Sequence, residues 1–268
     1  MPAVDFDLAL IAAPFRMQPG LRRLADDARH LTPLAAGSPL HAEKLAVVQA
    51  GDSRLGVPGF DPAPALAAIA RQAAAEGIAV PAGTPIELAV EEDFAVLDAA
   101  TGTLPWLSVC VPSHWAPEEK LGLDFLAVHA PVADGDLLRA ASRQLVELAT
   151  SGGHWERHVW TISPSARHDQ HPHRHAREPW PDPHDAQGFA QRCFLRAERQ
   201  TFFPVGAGTR QAVFTIRVML APLPSVIHAA ETAARLHASL ASMSEAVLAY
   251  KGLAAAREPL LRWLCTIR

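Results

Sequence analysis

Two long alternating runs near the carboxyl-terminal third constrain the fold more than any other feature. In Phe194 to Phe203 one side of an extended chain carries Leu195, Ala197, Arg199, Thr201 and Phe203. The other side carries Phe194, Arg196, Glu198, Gln200 and Phe202. In Ala212 to Leu220 one side is Ala212, Phe214, Ile216, Val218 and Leu220, and the other is Val213, Thr215, Arg217 and Met219. A period of two belongs to a strand, because successive side chains leave a pleated strand on opposite faces. Gly206-Ala-Gly208 supplies the turn between the runs, so they read as an antiparallel pair. Further strand signals lie at Phe94 to Leu97, at Leu104 to Val111 and at His154 to Ile162, the first two joined as a hairpin. The expected class is therefore α+β, an antiparallel sheet flanked by helices.

Helix signals fill the remainder. Leu21 to Arg29 is a short candidate. Ser38 caps a second, with Pro39 at its first position, running to Gln49. Asp61-Pro62 opens a third that Gly77 closes. Asp136 to Thr150 reads as one amphipathic helix with Leu137, Leu138, Ala141, Leu145 and Leu148 on a stripe. Helices also follow over Pro224 to Ala241, Ser244 to Leu253 and Ala254 to Leu264. Glu91-Glu92-Asp93 reads as a solvated approach to the hairpin. At 268 residues the chain fits one large domain. We expect a core at about 85–222, a helical lead-in over 1–84 and closing helices over 223–268.

Composition removes several classes of function. A net charge of −4 and a single tyrosine, Tyr250, leave neither a basic footprint nor an aromatic platform for nucleic acid. Cys110, Cys193 and Cys265 are widely spaced, with no Cys-x-x-Cys pair to hold zinc or an iron–sulfur cluster. No basic apolar leader and no long uncharged apolar run are seen, so a cytoplasmic protein is expected.

Some residues carry chemistry that the core does not demand. Arg199 and Arg217 stand on largely apolar strand faces, which calls for an anion or for open water. His129 sits among Phe125, Leu126, Val128 and Val132, as a core histidine or as a ligand to something large and apolar. The span 154–184 holds seven of the 13 histidines in a proline-rich setting. Most of it reads as an exposed loop, although His168, His171, His173 and His175 have ligand types close together.

Collinear segments resemble the family of heme-dependent oxidative N-demethylases. They are Pro14-Phe-Arg-Met17 with Gly20-Leu21, Glu91-Glu-Asp93, Val111-Pro-Ser-His-Trp115, Glu119-Lys-Leu-Gly122 and His129-Ala-Pro-Val132. Arg196-Ala-Glu-Arg-Gln-Thr201, Val213-Phe-Thr-Ile-Arg217, Tyr250-Lys-Gly252 and Trp263-Leu264 complete the series. The resemblance implies a PAS-like fold with a single heme pocket. It also implies oxidation of a small methylated amine, dimethylamine-like, by O2 with release of formaldehyde. Electrons would come from a separate reductase that carries the NADPH, FMN and 2Fe-2S chemistry. A heme-binding sensor or carrier without turnover is the rival class.

Carried onto this chain, the resemblance makes His129 the axial ligand of a heme b iron, with His158 and His114 as runners-up. Arg199 and Arg217 would polarise oxygen or hold a propionate, and Glu198 and Glu119 would serve the reaction. Lys120, Arg157 and Arg217 would contact the cofactor. The chain departs from the family's Arg-x-Asn-Trp run, which here is Arg157-His-Val-Trp160, so Val159 replaces an amide.

Overall fold

A computed structural model describes residues 5–25 and 27–268. Seven strands form one sheet, antiparallel throughout. They are β1 (Arg22–Arg23), β2 (Arg54–Gly56), β3 (Asp93–Asp98), β4 (Thr103–Ser108), β5 (Trp155–Ser163), β6 (Phe194–Pro204) and β7 (Gln211–Pro222). Their spatial order is β1-β5-β6-β7-β3-β4-β2. Counted among themselves, the five central strands run 2-1-5-4-3. The lead-in is therefore not purely helical: it adds a short strand to each edge.

The α+β expectation is met, and β6 and β7 pair over their full length, with Arg199 opposite Arg217 and Phe202 opposite Phe214. The register sorts the residues of the sheet. A first face presents Arg157 and Val159 from β5, Arg196, Glu198, Gln200 and Phe202 from β6, and Val218, Ile216 and Phe214 from β7. The second face presents Glu156, His158 and Trp160, then Arg199, Thr201 and Phe203, then Met219, Arg217 and Thr215.

Helices are α1 (Pro39–Ala50), α2 (Ala63–Ala75), α3 (Phe125–His129), α4 (Asp136–Ala140), α5 (Ser142–Ala149), α6 (Ala186–Gln191), α7 (Leu223–Val226), α8 (Ala230–Ala241), α9 (Glu245–Lys251) and α10 (Arg257–Leu264). Ser38 caps α1 as expected, its hydroxyl accepting from the His41 amide at 3.1 Å. The first face is covered by α1, through Leu40 and Val47 against Ile216 and Val218, and by α3 and α5, through Phe125 and Val146 against Phe202 and Leu97. The second face is covered by α2 at one end and by α6 to α10 at the other.

Several expectations fail for physical reasons. Leu21 to Arg29 forms no helix; its described part supplies β1, and Asp26 lies outside the described residues. The helix over 136–150 breaks at Ala141 (φ −91°, ψ 3°), and the break leaves Leu138 buried but Leu137 exposed. Glu92 and Asp93 are not solvated: they are 0% and 1% exposed. Lys44, on the buried side of α1 and itself 0% exposed, compensates them. Its ammonium donates to the carbonyls of Val90, Glu91 and Glu92 at 3.1, 3.1 and 2.8 Å and pairs with Asp93 at 3.2 Å. Such a pair is tolerated in a core because the remaining donors are also satisfied.

The histidine-rich span is an irregular loop, exposed over much of its length, but its stretch at 169–171 is packed against the body of the protein. Asp169, Gln170 and His171 are all buried. Glu43 of α1 accepts the amides of His168 and Asp169 at 3.2 and 2.6 Å. Gln170 donates its amide to Pro112 at 3.0 Å, and Arg174 reaches Cys110 at 2.8 Å.

Candidate functional site

The first face gathers the polar groups that the apolar core does not need. Its organiser is Arg196, which is 1% exposed. Its Nε donates to the Ser113 hydroxyl at 2.8 Å, and its Nη groups donate to the carbonyls of Arg167 and His168 at 3.1 and 2.8 Å. One buried guanidinium thus joins the loop after β4 to the loop after β5. Asp93 secures the first of these loops from the other end, accepting the Val111 amide at 2.8 Å.

The Ser113 hydroxyl donates in turn to Glu198 Oε1. The second oxygen of Glu198 accepts from the Gln200 amide at 2.7 Å. Glu198 is therefore held at both oxygens, on the face that α3 covers. Across from it in register stands Val159.

His129 ends α3, which Asp124 starts by accepting the Ala127 amide at 2.7 Å. Its Nδ1 lies 2.7 Å from the Phe125 carbonyl, one turn back. A carbonyl accepts only, so Nδ1 carries the proton and the lone pair stays on Nε2. Burial, and then the Arg157 and Lys120 charges nearby, hold the ring below its ordinary pKa and keep it neutral. Arg157 is the other unusual group. Its Nε is buried without a partner among the described residues, and burial lowers its pKa against the pull of Glu198. Tyr250 stands close enough for the Arg157 charge to act on it, and burial raises its phenol.

The next residue, Lys251, was not singled out from the sequence. Its Nζ donates to the Trp160 carbonyl at 2.6 Å and lies 5.3 Å from the Phe15 ring centre. Burial pushes it down to about 8. Its only sequence signal is the Tyr250-Lys-Gly252 run.

The structure brings His129, Lys120, Arg157 and Glu198 to one side of the sheet. It does not bring Arg199 and Arg217 there. They lie on the second face, and the anions that their burial demands are protein carboxylates. Arg199 Nε pairs with Glu156 at 3.2 Å, and Arg217 pairs with Glu91 at 2.7 Å and Asp5 at 3.0 Å. Alternation along a strand forces this result: residues 198 and 199 leave β6 on opposite faces. Glu119 is also displaced. Its side chain is 61% exposed and lies 3.5 Å from His173 at the surface.

The runners-up are placed as well. His158 is on the second face beside Phe6. His114 has a left-handed backbone (φ 58°), and burial with the Arg177 and Arg196 charges lowers it to about 4. Histidines of the histidine-rich span are spent on carboxylates: His171 reaches Glu118 and His175 reaches Asp169, each at 3.1 Å. Among the described residues, no three His, Cys, Asp or Glu side chains converge to hold a metal ion.

A cavity of about 340 Å³ lies on the second face, lined in part by Arg199, Arg217, Arg29 and Asp5. Among the described residues, no helix is long and apolar enough to cross a membrane.

A protein-family model described as "Haem-dependent oxidative N-demethylase, alpha subunit-like" matches residues 84–261. No curated protein matches the chain.

Proposed function

Because the chain belongs to the haem-dependent oxidative N-demethylase, alpha subunit-like family, we propose that it oxidatively demethylates a small methylated amine at a heme held on the first face of the sheet. The 2-1-5-4-3 order of the five central strands, with α3 to α5 inserted between the second and third, supports a PAS-like reading of the fold. One observation carries the assignment of the ligand. His129 alone among the proposed ligands has one ring nitrogen fixed as a donor to a carbonyl and the other left free.

The donor set fits a heme b. His129 Nε2 would ligate the iron, and the cationic Arg157 and Lys120 would answer the propionates. Arg157 meets this role with a buried, unpartnered Nε. When bound, the heme supplies the redox iron at which oxygen is activated.

This chain's own residues do the rest. Dimethylamine-like substrates are ammonium ions at neutral pH, and Glu198 is the carboxylate on this face positioned to hold one. Ser113 and Gln200 keep its two oxygens in place, so it accepts the ammonium proton at a fixed point. The cap of residues 163–175, itself tied to α1 through Glu43, is hydrogen-bonded to the loop carrying Ser113 through Gln170 and Pro112. Val159 beside Glu198 makes this wall less polar than an amide would, which favours an amine with more apolar surface than dimethylamine. Electrons come from a partner reductase bearing NADPH, FMN and 2Fe-2S groups. The alpha-subunit description and the lack of a Cys-x-x-Cys pair or dinucleotide fingerprint agree with those groups residing elsewhere.

The test is oxygen uptake by heme-loaded protein with a surrogate reductant, against a series of methylated amines, with formaldehyde as the second readout. Amine-dependent uptake with matching formaldehyde is expected. Heme binding without amine-dependent uptake would move the protein to the sensor or carrier class.

A further inference from the structure

The second face holds a feature that the proposed chemistry does not use. Its apolar packing falls into two separate clusters. One gathers Trp160, Leu195, Ala197 and Met219 beneath α6 to α10; the other gathers Phe94, Val96, Phe203 and Val213 beneath α2. Between them stand Arg199 and Arg217, directly opposite one another in register. Two like charges at paired positions repel and weaken a sheet unless anions offset them. Here the side chains are only 15% and 13% exposed, so water screens them poorly.

Three carboxylates answer these arginines within the protein, one of them shared and one of them exposed. Glu156 is shared between Arg199 and Arg22, at 3.2 and 3.0 Å. Arg199 spends Nη1 on the Arg29 carbonyl at 2.7 Å. Arg217 takes one partly buried partner, Glu91, and one that is 82% exposed, Asp5. Neither arginine's Nη2 has a partner among the described residues. A third arginine, the exposed Arg29, is among the residues that line the same 340 Å³ cavity. An exposed ion pair contributes little to stability, so Asp5 is easily displaced.

We propose that this cavity is a binding site for a small oxyanion, a carboxylate or phosphate group, gripped by Arg217 and Arg199, with Asp5 occupying the place of its charge when none is bound. Guanidinium pairs suit this chemistry because each presents a planar fork of donors to a planar or tetrahedral oxyanion. The cavity volume admits a phosphate or a four-carbon dicarboxylate with accompanying water. The site is separated from His129 by the thickness of the sheet, so it stands whether or not a heme is bound.

Titration calorimetry with inorganic phosphate and with succinate, at constant ionic strength, tests the proposal and tells the two anion classes apart. Saturable binding of at least one anion is expected in the full chain. Asp5→Asn should tighten it severalfold by removing the competing carboxylate. Arg217→Gln should weaken it about tenfold or more, the worth of a charge-assisted contact. Arg29→Gln, at an exposed position that does not threaten folding, should weaken it by a smaller factor. His129→Ala should bind the anion as the wild type does. The proposal fails if neither anion saturates the wild type or Asp5→Asn at tens of millimolar. It also fails if folded Arg217→Gln and Arg29→Gln both bind with unchanged affinity.

Discussion

Replacing Lys44 by methionine tests how the core supports the candidate site. The substitution keeps most of the side-chain volume and removes one charge. In the structure that charge answers three carbonyls at 2.8–3.1 Å and the Asp93 carboxylate at 3.2 Å, with both side chains essentially inaccessible to water. Removing one partner of such a pair leaves the other buried and uncompensated, at a cost of about 3–5 kcal/mol. For a chain of this length that corresponds to a fall in Tm of roughly 10 °C. Urea unfolding followed by circular dichroism measures it. The pH dependence is equally specific. Burial already raises the Asp93 carboxyl against the pull of Lys44, and the variant removes that pull. An acid whose folded pKa lies above its unfolded value has its full stability only below the unfolded value, and loses it as pH rises. The loss in Lys44→Met should therefore be greater at pH 8 than at pH 5. Asp93 also fixes the Val111 amide, so heme affinity should fall together with stability. A change below about 1 kcal/mol, or one that grows toward low pH, would refute the reasoning.

Three further outcomes follow from individual contacts. His30, 2% exposed and hydrogen-bonded to Thr201 and His154, is lowered to about 3 by burial and by the His154 and Arg199 charges. The unfolded chain binds a proton there that the folded chain refuses, so stability falls between pH 7 and pH 5 by about 1–2 kcal/mol. His30→Gln should flatten that slope in denaturant titrations. Ser38→Ala removes the cap of α1 and should cost about 1 kcal/mol by thermal melting, with no effect on heme uptake. Glu198→Gln should retain the heme spectrum while lowering amine turnover about 100-fold or more in oxygen-uptake assays.

Much of this fold is written locally. The alternation in Phe194 to Phe203 and Ala212 to Leu220 already contains the central pair, its faces and its turn. Ser38-Pro39 and Gly77 mark helix ends because capping acts over a few residues. What was not legible depended on distant partners. Glu91-Glu92-Asp93 looks solvated until Lys44 arrives from α1, nearly 50 positions earlier. The histidine-rich span lacks apolar periodicity, yet it is ordered by Glu43, Asp169 and Arg196 through polar contacts. Strands β1 and β2, of two and three residues, are too short to carry a pattern of their own. For the proposed site, residue types and resemblance singled out His129, Arg157 and Glu198, which the fold brings to one side of the sheet. The face of Arg199 relative to His129 was open, because alternation shows which residues share a side but not which side the helix carrying His129 covers.

The central claim is that His129 holds a heme on the first face. An absorption spectrum of protein from heme-supplemented cells, taken for the wild type and for His129→Ala, tests it most directly. A Soret band in the wild type that is lost or shifted in His129→Ala is the result predicted. A Soret band unchanged by the substitution would contradict the assignment of the ligand, and no band in either protein would contradict the heme site itself.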